Sequence, residues 1–141
     1  MRFNILAAAS LLVFGCSVTA DTPNLEPGMW EYQNKMSFDS EFPIPDQEQT
    51  NQECLTLDDI KRGDAFLDDV DECDVTRQDI RSDGMDYSMI CRGPDGTEMR
   101  MDASMQFNGD TATGTITGEM ETPMGPMSMS IEMNGRRIGD C

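Results

Sequence analysis

Apolar and polar residues alternate with a period of two through much of the chain, as they do in strands with one buried face. In the first such stretch Trp30, Tyr32, Met36 and Phe38 share one side, and Glu31, Gln33, Lys35 and Ser37 the other. Pro43 and Pro45 break the pattern, and a short strand then leads into Cys54. From Cys73 onward the chain reads as an antiparallel meander. Asp74 to Arg81 forms one strand, Ser82-Asp83-Gly84 a hairpin turn, and Met85, Tyr87, Met89 and Cys91 alternate on the next strand. Gly93-Pro94-Asp95-Gly96 is a turn, because proline fixes φ and glycine permits positive φ. Met99, Met101, Ala103, Met105 and Phe107 then form the cleanest apolar stripe, set against Glu98, Arg100, Asp102, Ser104 and Gln106. Asn108-Gly109-Asp110 turns the chain again. Thr111 to Glu121 places Ala112, Gly114, Ile116, Gly118 and Met120 on one face, Pro123 to Pro126 turns once more, and Met127, Met129, Ile131 and Met133 make the last stripe.

One segment breaks the strand rhythm. Leu55 to Arg62 reads as a brief helix, with Thr56 as N-cap, acids in the first turn, bases in the last and Gly63 as the stop. The expected fold is therefore all-β and mainly antiparallel: about seven strands in a curved meander sheet or an open barrel, with one short helix. Gly114 and Gly118 on an inward face fit sharp curvature or a close approach.

The first twenty residues have a different character. One basic residue, Arg2, precedes an apolar run from Ile5 to Gly15, and small residues follow at Val18-Thr19-Ala20. The run is too short to span a bilayer, which takes about 20 residues. It suits a secretory signal peptide (residues 1–20) cut after Ala20, leaving residues 21–141 as a single exported β-rich domain in the periplasm. Val13-Phe14-Gly15-Cys16 also reads as a loose lipobox, although Phe14 is bulky for one. Acylation of Cys16 would make the protein an outer-membrane lipoprotein facing the periplasm, tethered by lipid without a spanning helix. No later stretch is apolar enough to cross a membrane.

Charge narrows the partners. With ten Lys and Arg against 27 Asp and Glu, the chain carries a formal charge of −17. Removing residues 1–20 removes only Arg2, so the remainder carries 9 − 27 = −18. Nucleic acid and anionic membranes reward Lys and Arg clusters and are poor partners for such a chain. There is no histidine, so the commonest general base and metal ligand is missing. Cys54, Cys73, Cys91 and Cys141 remain after either signal reading, and four cysteines in a small exported domain imply two disulfides. In a meander Cys73 begins one strand and Cys91 ends its hairpin partner, which favours Cys73–Cys91 with Cys54–Cys141. The rival pairing, Cys54–Cys73, would staple the helical excursion.

Chemistry is sparse. No Gly-x-Ser-x-Gly, nucleophile paired with a histidine, or phosphate loop occurs, and no cofactor is implied, so the expected role is non-enzymatic. Methionine is the unusual feature, with 13 in the chain and twelve after residue 20, on the apolar side of the alternating strands. A curved sheet lined by adaptable side chains suits a lipid or other apolar ligand, over a face of Trp30, Tyr32, Met99, Met101, Met105, Met127 and Met129. Alternatively, the Met99-x-Met101 and Met127-x-Met129 pairs offer soft thioethers to Cu(I) or Ag(I). Asp64, Asp68, Asp69, Asp71, Glu72 and Asp74 form an acidic run that could gather Ca²⁺, but it is without the glycine and closing glutamate of an EF-hand and reads by default as a solvated loop. Arg136 and Arg137 could grip a carboxylate or phosphate, but as strand neighbours they would point to opposite faces, which favours pairing with the protein's own acids near Cys141.

Three stretches resemble a family of exported bacterial proteins, the domain of unknown function 3617. Pro27-Gly28-Met29-Trp30-Glu31 resembles its opening motif, Cys54-Leu55-Thr56 its cysteine before a short acidic helix, and Gly135-Arg136-Arg137-Ile138-Gly139-Asp140-Cys141 its closing signature. The resemblance covers about Pro27 to Cys141. It implies an exported, β-rich, disulfide-bonded domain and no particular activity.

Overall fold

Each alternating stretch becomes a strand. A computed structural model describes residues 21–63 and 72–141; residues 1–20 with Cys16, and Asp64, Asp68, Asp69 and Asp71 of the acidic run, lie outside the described residues. Among the described residues the strands are β1 (Gly28–Asp39), β2 (Gln47–Leu55), β3 (Cys73–Ile80), β4 (Gly84–Arg92), β5 (Glu98–Asn108), β6 (Thr111–Thr122) and β7 (Gly125–Gly139), with one helix, α1 (Leu57–Arg62). They form a single sheet in the order β2-β1-β7-β6-β5-β4-β3. The meander from β3 to β7 is as expected. The long last strand then pairs antiparallel with β1, so the N-terminal hairpin joins the sheet through the C-terminal strand. Edge strands β2 and β3 do not pair with each other, and the barrel stays open.

The helix decides which end of the sheet is covered. Thr56 caps α1: its side chain accepts from the Asp59 backbone N–H, and the Asp59 carboxylate accepts from the Thr56 N–H at 2.9 Å. Gly63 ends the helix at φ 69°, donating its N–H to Asp59 O at 3.2 Å. A Cβ on Gly63 would lie 2.9 Å from Ile80 Cδ1. Thus α1 leaves β2 at one edge of the sheet and reaches β3 at the other, which requires the sheet to wrap. Ile60 is its buried residue. At the same end the segment before β1 crosses two hairpin tips. Asn24 donates to Ser82 O at 2.7 Å, and Glu26 to Gly109 O at 2.9 Å.

The core collects under this cover. Trp30, Tyr32, Leu55, Ile60, Met85, Tyr87, Met105, Phe107 and Ala112 are all buried there. Trp30 stacks on Tyr32 with ring centroids 6.1 Å apart, and its indole N–H donates to Glu26 O at 3.0 Å. Gly135 of β7 makes room for the Tyr32 ring: a Cβ there would lie 2.7 Å from Cδ1 and Cε1. A ring held by stacking cannot swing aside, so Gly135→Ala is expected to cost about 1–3 kcal/mol through overpacking. Gly139→Ala, with nothing within 4 Å of the new Cβ, is the control. Urea unfolding of the two variants checks this, and equal midpoints would contradict it.

Burial also sets an alkaline limit. It pushes the Tyr32 phenol from its ordinary 10 up to about 12, with Glu53 adding repulsion, and moves Tyr87 upward as well. The folded protein therefore holds these protons more tightly than the unfolded chain. Stability is intact below the ordinary value and falls as pH rises from 10 towards 12. Tyrosinate absorbance and loss of circular dichroism should appear together; ionisation of Tyr32 with the fold intact would contradict this.

Both disulfides pair as the meander favoured. Cys73 and Cys91 are direct cross-strand partners in β3 and β4. Cys54 and Cys141 have Cα atoms 5.6 Å apart, and Met29 of β1 is in register with Cys54 on one side and Gly139 on the other. That bridge therefore passes over β1 and ties edge strand β2 to the end of β7. Two methionines leave the apolar side: Met124 sits in the β6–β7 turn, 66 % exposed, and Met29 lies on the face opposite Trp30.

Candidate functional site

The end of the sheet opposite α1 is rich in half-buried methionine. Hairpin register sets Met99 of β5, Met120 of β6 and Met127 of β7 side by side. The next row is Met101, Gly118 and Met129, with Phe38 of β1 beside Met129. Directly opposed side chains start only about 5 Å apart at Cβ and must touch. Gly118 lets the rows close: a Cβ there would lie 3.1 Å from Met129 Cε and 3.3 Å from Met99 Sδ. Cys91 Sγ lies 3.7 Å from Met101 Sδ. Neither the disulfide nor the thioether carries a proton, so this is a packing contact between polarisable atoms.

Met99 and Met120 of the first row border a recess of about 780 Å³, which Pro123, Thr97, Glu72, Asp95 and the Cys73–Cys91 bridge also line. That volume falls in the range of small-molecule pockets, about 300–1,000 Å³. A second recess of about 1,020 Å³ lies at the same end, where Met120 and Met127 meet Asp39, Glu41, Glu119 and Glu121. Phe42 is 59 % exposed nearby, and the Glu41 carboxyl carbon approaches the Cβ position of Gly125 to 3.4 Å, bringing this loop against the β6–β7 turn that carries Met124.

The seven residues of the expected apolar face thus divide in two. Met99, Met101, Met127 and Met129 share the open end, half-buried. Trp30, Tyr32 and Met105 lie in the covered core. Met120 completes the open-end row, and its signal was available: counting through the Asn108–Asp110 and Pro123–Pro126 turns sets it opposite both Met99 and Met127.

The arginines are used internally. Arg136 pairs with Glu31 at 2.7 Å and is the first cause holding that carboxyl below its ordinary range. Arg137, on the other face, donates to Pro27 O at 2.8 Å and pairs with Asp140. Hydrogen bonds lower three other carboxyls: Thr56 acts on Asp59, Ser104 and Arg81 on Asp86, and the Thr97 backbone on Asp95. No group of three or more His, Cys, Asp or Glu able to hold a metal ion occurs among the described residues.

The three motif stretches meet in one corner of the covered end. Gly28, at φ 150°, packs so closely that a Cβ would collide with Gly139 O. Glu31 meets Arg136, Tyr32 sits on Gly135, Leu55 is buried, Thr56 caps α1, and Cys54 bonds Cys141. These residues fasten β1, β2 and β7 together. A family model described as "Protein of unknown function (DUF3617)" matches residues 25–141. No curated protein and no solved structure matches the chain.

Proposed function

Since the chain belongs to the DUF3617 family, whose description carries no activity, its role has to be read from its geometry, and we propose an exported, non-enzymatic envelope domain that holds an apolar ligand or partner in the open end of its sheet. One observation carries this: half-buried Met99 and Met120 line a recess of about 780 Å³ at the end that α1 leaves uncovered, and Met120 and Met127 line a second recess beside it. Methionine adapts to varied apolar shapes, and pockets of this kind are mostly apolar with a few polar groups. Two disulfides suit an oxidising compartment, which agrees with the signal-like first twenty residues. Among the described residues the displaced carboxyls go down, whereas a general acid needs its pKa raised towards neutrality. Among the described residues, no helix is long and apolar enough to cross a membrane.

Native mass spectrometry of protein purified without detergent should find a co-purifying apolar ligand. A clean apo mass, with no thermal shift from fatty acids or phospholipids, would sink the proposal. Intact mass from soluble and membrane fractions also distinguishes cleavage after Ala20 from acylation of Cys16.

The aligned thioethers favour a second reading, a soft-metal site, because thioethers select Cu(I). It predicts Cu(I) binding that disappears when Met99, Met101, Met127 and Met129 are replaced together with Met120. Failure to bind at micromolar Cu(I) removes it.

A further inference from the structure

Resting on the apolar-ligand reading, we infer that the occupant of the open end is a cationic amphiphile, a small molecule with an apolar body and a positively charged head. The methionine rows specify the body. Phe42 and Met124, exposed by 59 % and 66 %, adjoin in sequence Glu41 and Pro123, which line the two recesses. The charges around the recesses specify the head. The methionine recess has Glu72 and Asp95 at its margin, and its one basic group among the described residues, Arg92, is already paired with Asp74 at 2.5 Å. In the adjoining recess the one arginine, Arg100, pairs with Glu98 at 3.6 Å, while Glu119 and Glu121 have no cationic partner among the described residues.

A carboxylate or phosphate head entering here meets repulsion, and among the described lining residues no free guanidinium or ammonium. A neutral head gains nothing from the rim. A cationic head is attracted by carboxylates already in place, in a chain of formal charge −17. An anionic bilayer is disfavoured as the occupant for the same reason. The recess volume of about 780 Å³ suits a small amphiphile.

Calorimetric titration of the intact exported protein with decanol, decylammonium and decanoate, all below their aggregation limits, separates the two proposals. Decanol should bind, decylammonium about tenfold more tightly at low salt, and decanoate more weakly than decanol. The decylammonium advantage should shrink in about 0.5 M NaCl, where screening is short-ranged. It should shrink likewise in Glu72→Gln/Asp95→Asn, read as the ratio of decylammonium to decanol affinity within that variant. The amide introduced by Asp95→Asn keeps an oxygen for the Thr97 N–H that the Asp95 carboxylate accepts, so the turn is preserved. Met99→Gln/Met120→Gln should weaken decanol and decylammonium alike.

Equal affinity for decanol and decylammonium, or tightest binding of decanoate, overturns the cationic inference and leaves the apolar site standing. No binding by any of the three removes the apolar reading itself. If butylammonium binds as tightly as decylammonium, the attraction is charge alone and the inference falls. It also falls if a leucine–lysine repeat peptide binds where decylammonium does not, since the occupant is then a protein segment.

Discussion

Replacing Cys54 and Cys141 together by serine is expected to remove about 4–5 kcal/mol of stability, on the loop-entropy account of cross-links. The bridge spans a sequence separation of 87, against 18 for Cys73–Cys91, whose loss should cost about 3 kcal/mol on the same account. Small domains have only about 5–15 kcal/mol in total, so the first loss approaches global unfolding. Topology sharpens the expectation. Of the nine residues of β2 only Leu55 is buried, so the strand has little besides its ladder to β1 and this bridge. Guanidinium unfolding of the two double variants measures the order of the losses, and hydrogen exchange should show β2 loosening first without Cys54–Cys141. A larger loss from the Cys73/Cys91 variant would overturn the expectation.

Trp30→Ala should cost about 3–5 kcal/mol, the usual range for emptying a buried aromatic site. Trp30 is fully buried, and truncation removes both its stacking on Tyr32 and the indole hydrogen bond to Glu26 O. Glu26 belongs to the segment that also donates to Gly109 O, so the loss reaches the cover of the closed end. Trp30→Phe keeps most of the packing and should lose only about 1–2 kcal/mol, the hydrogen bond and a small cavity. Thermal unfolding followed by circular dichroism suits both variants, because the chain has one tryptophan and its fluorescence goes with it. Equal losses from the two would show that the hydrogen bond, not the packing, carries the site.

The strands, turns and helix cap were legible in the sequence because each is written locally. Period-two alternation gives a strand, Pro and Gly give turns, and Thr56 with Asp59 and Gly63 gives a helix with both ends. Disulfide pairing followed from the meander, since hairpin register places Cys73 opposite Cys91. The pairing of β1 with β7 was not legible, because alternation says which face is buried and not which strand lies alongside. The same limit governed the candidate site. Trp30 and Met99 both face inward, but only the path of α1 from β2 to Ile80 shows that one lies under cover and the other at the open end.

The pairing of first strand with last also bears on how the molecule is made. Met29 lies opposite Gly139, and Arg136 opposite Glu31, contacts between residues more than a hundred positions apart. Such long-range closures are slow steps in folding. The β3–β4 and β5–β6 hairpins can form as soon as their residues emerge, but β1 waits with Trp30 and Tyr32 uncovered until β7 arrives. A chain stopped before Gly125 would thus leave β1 and β6 as two bare edges, and the protein's most vulnerable moment is the interval before its last segment is delivered.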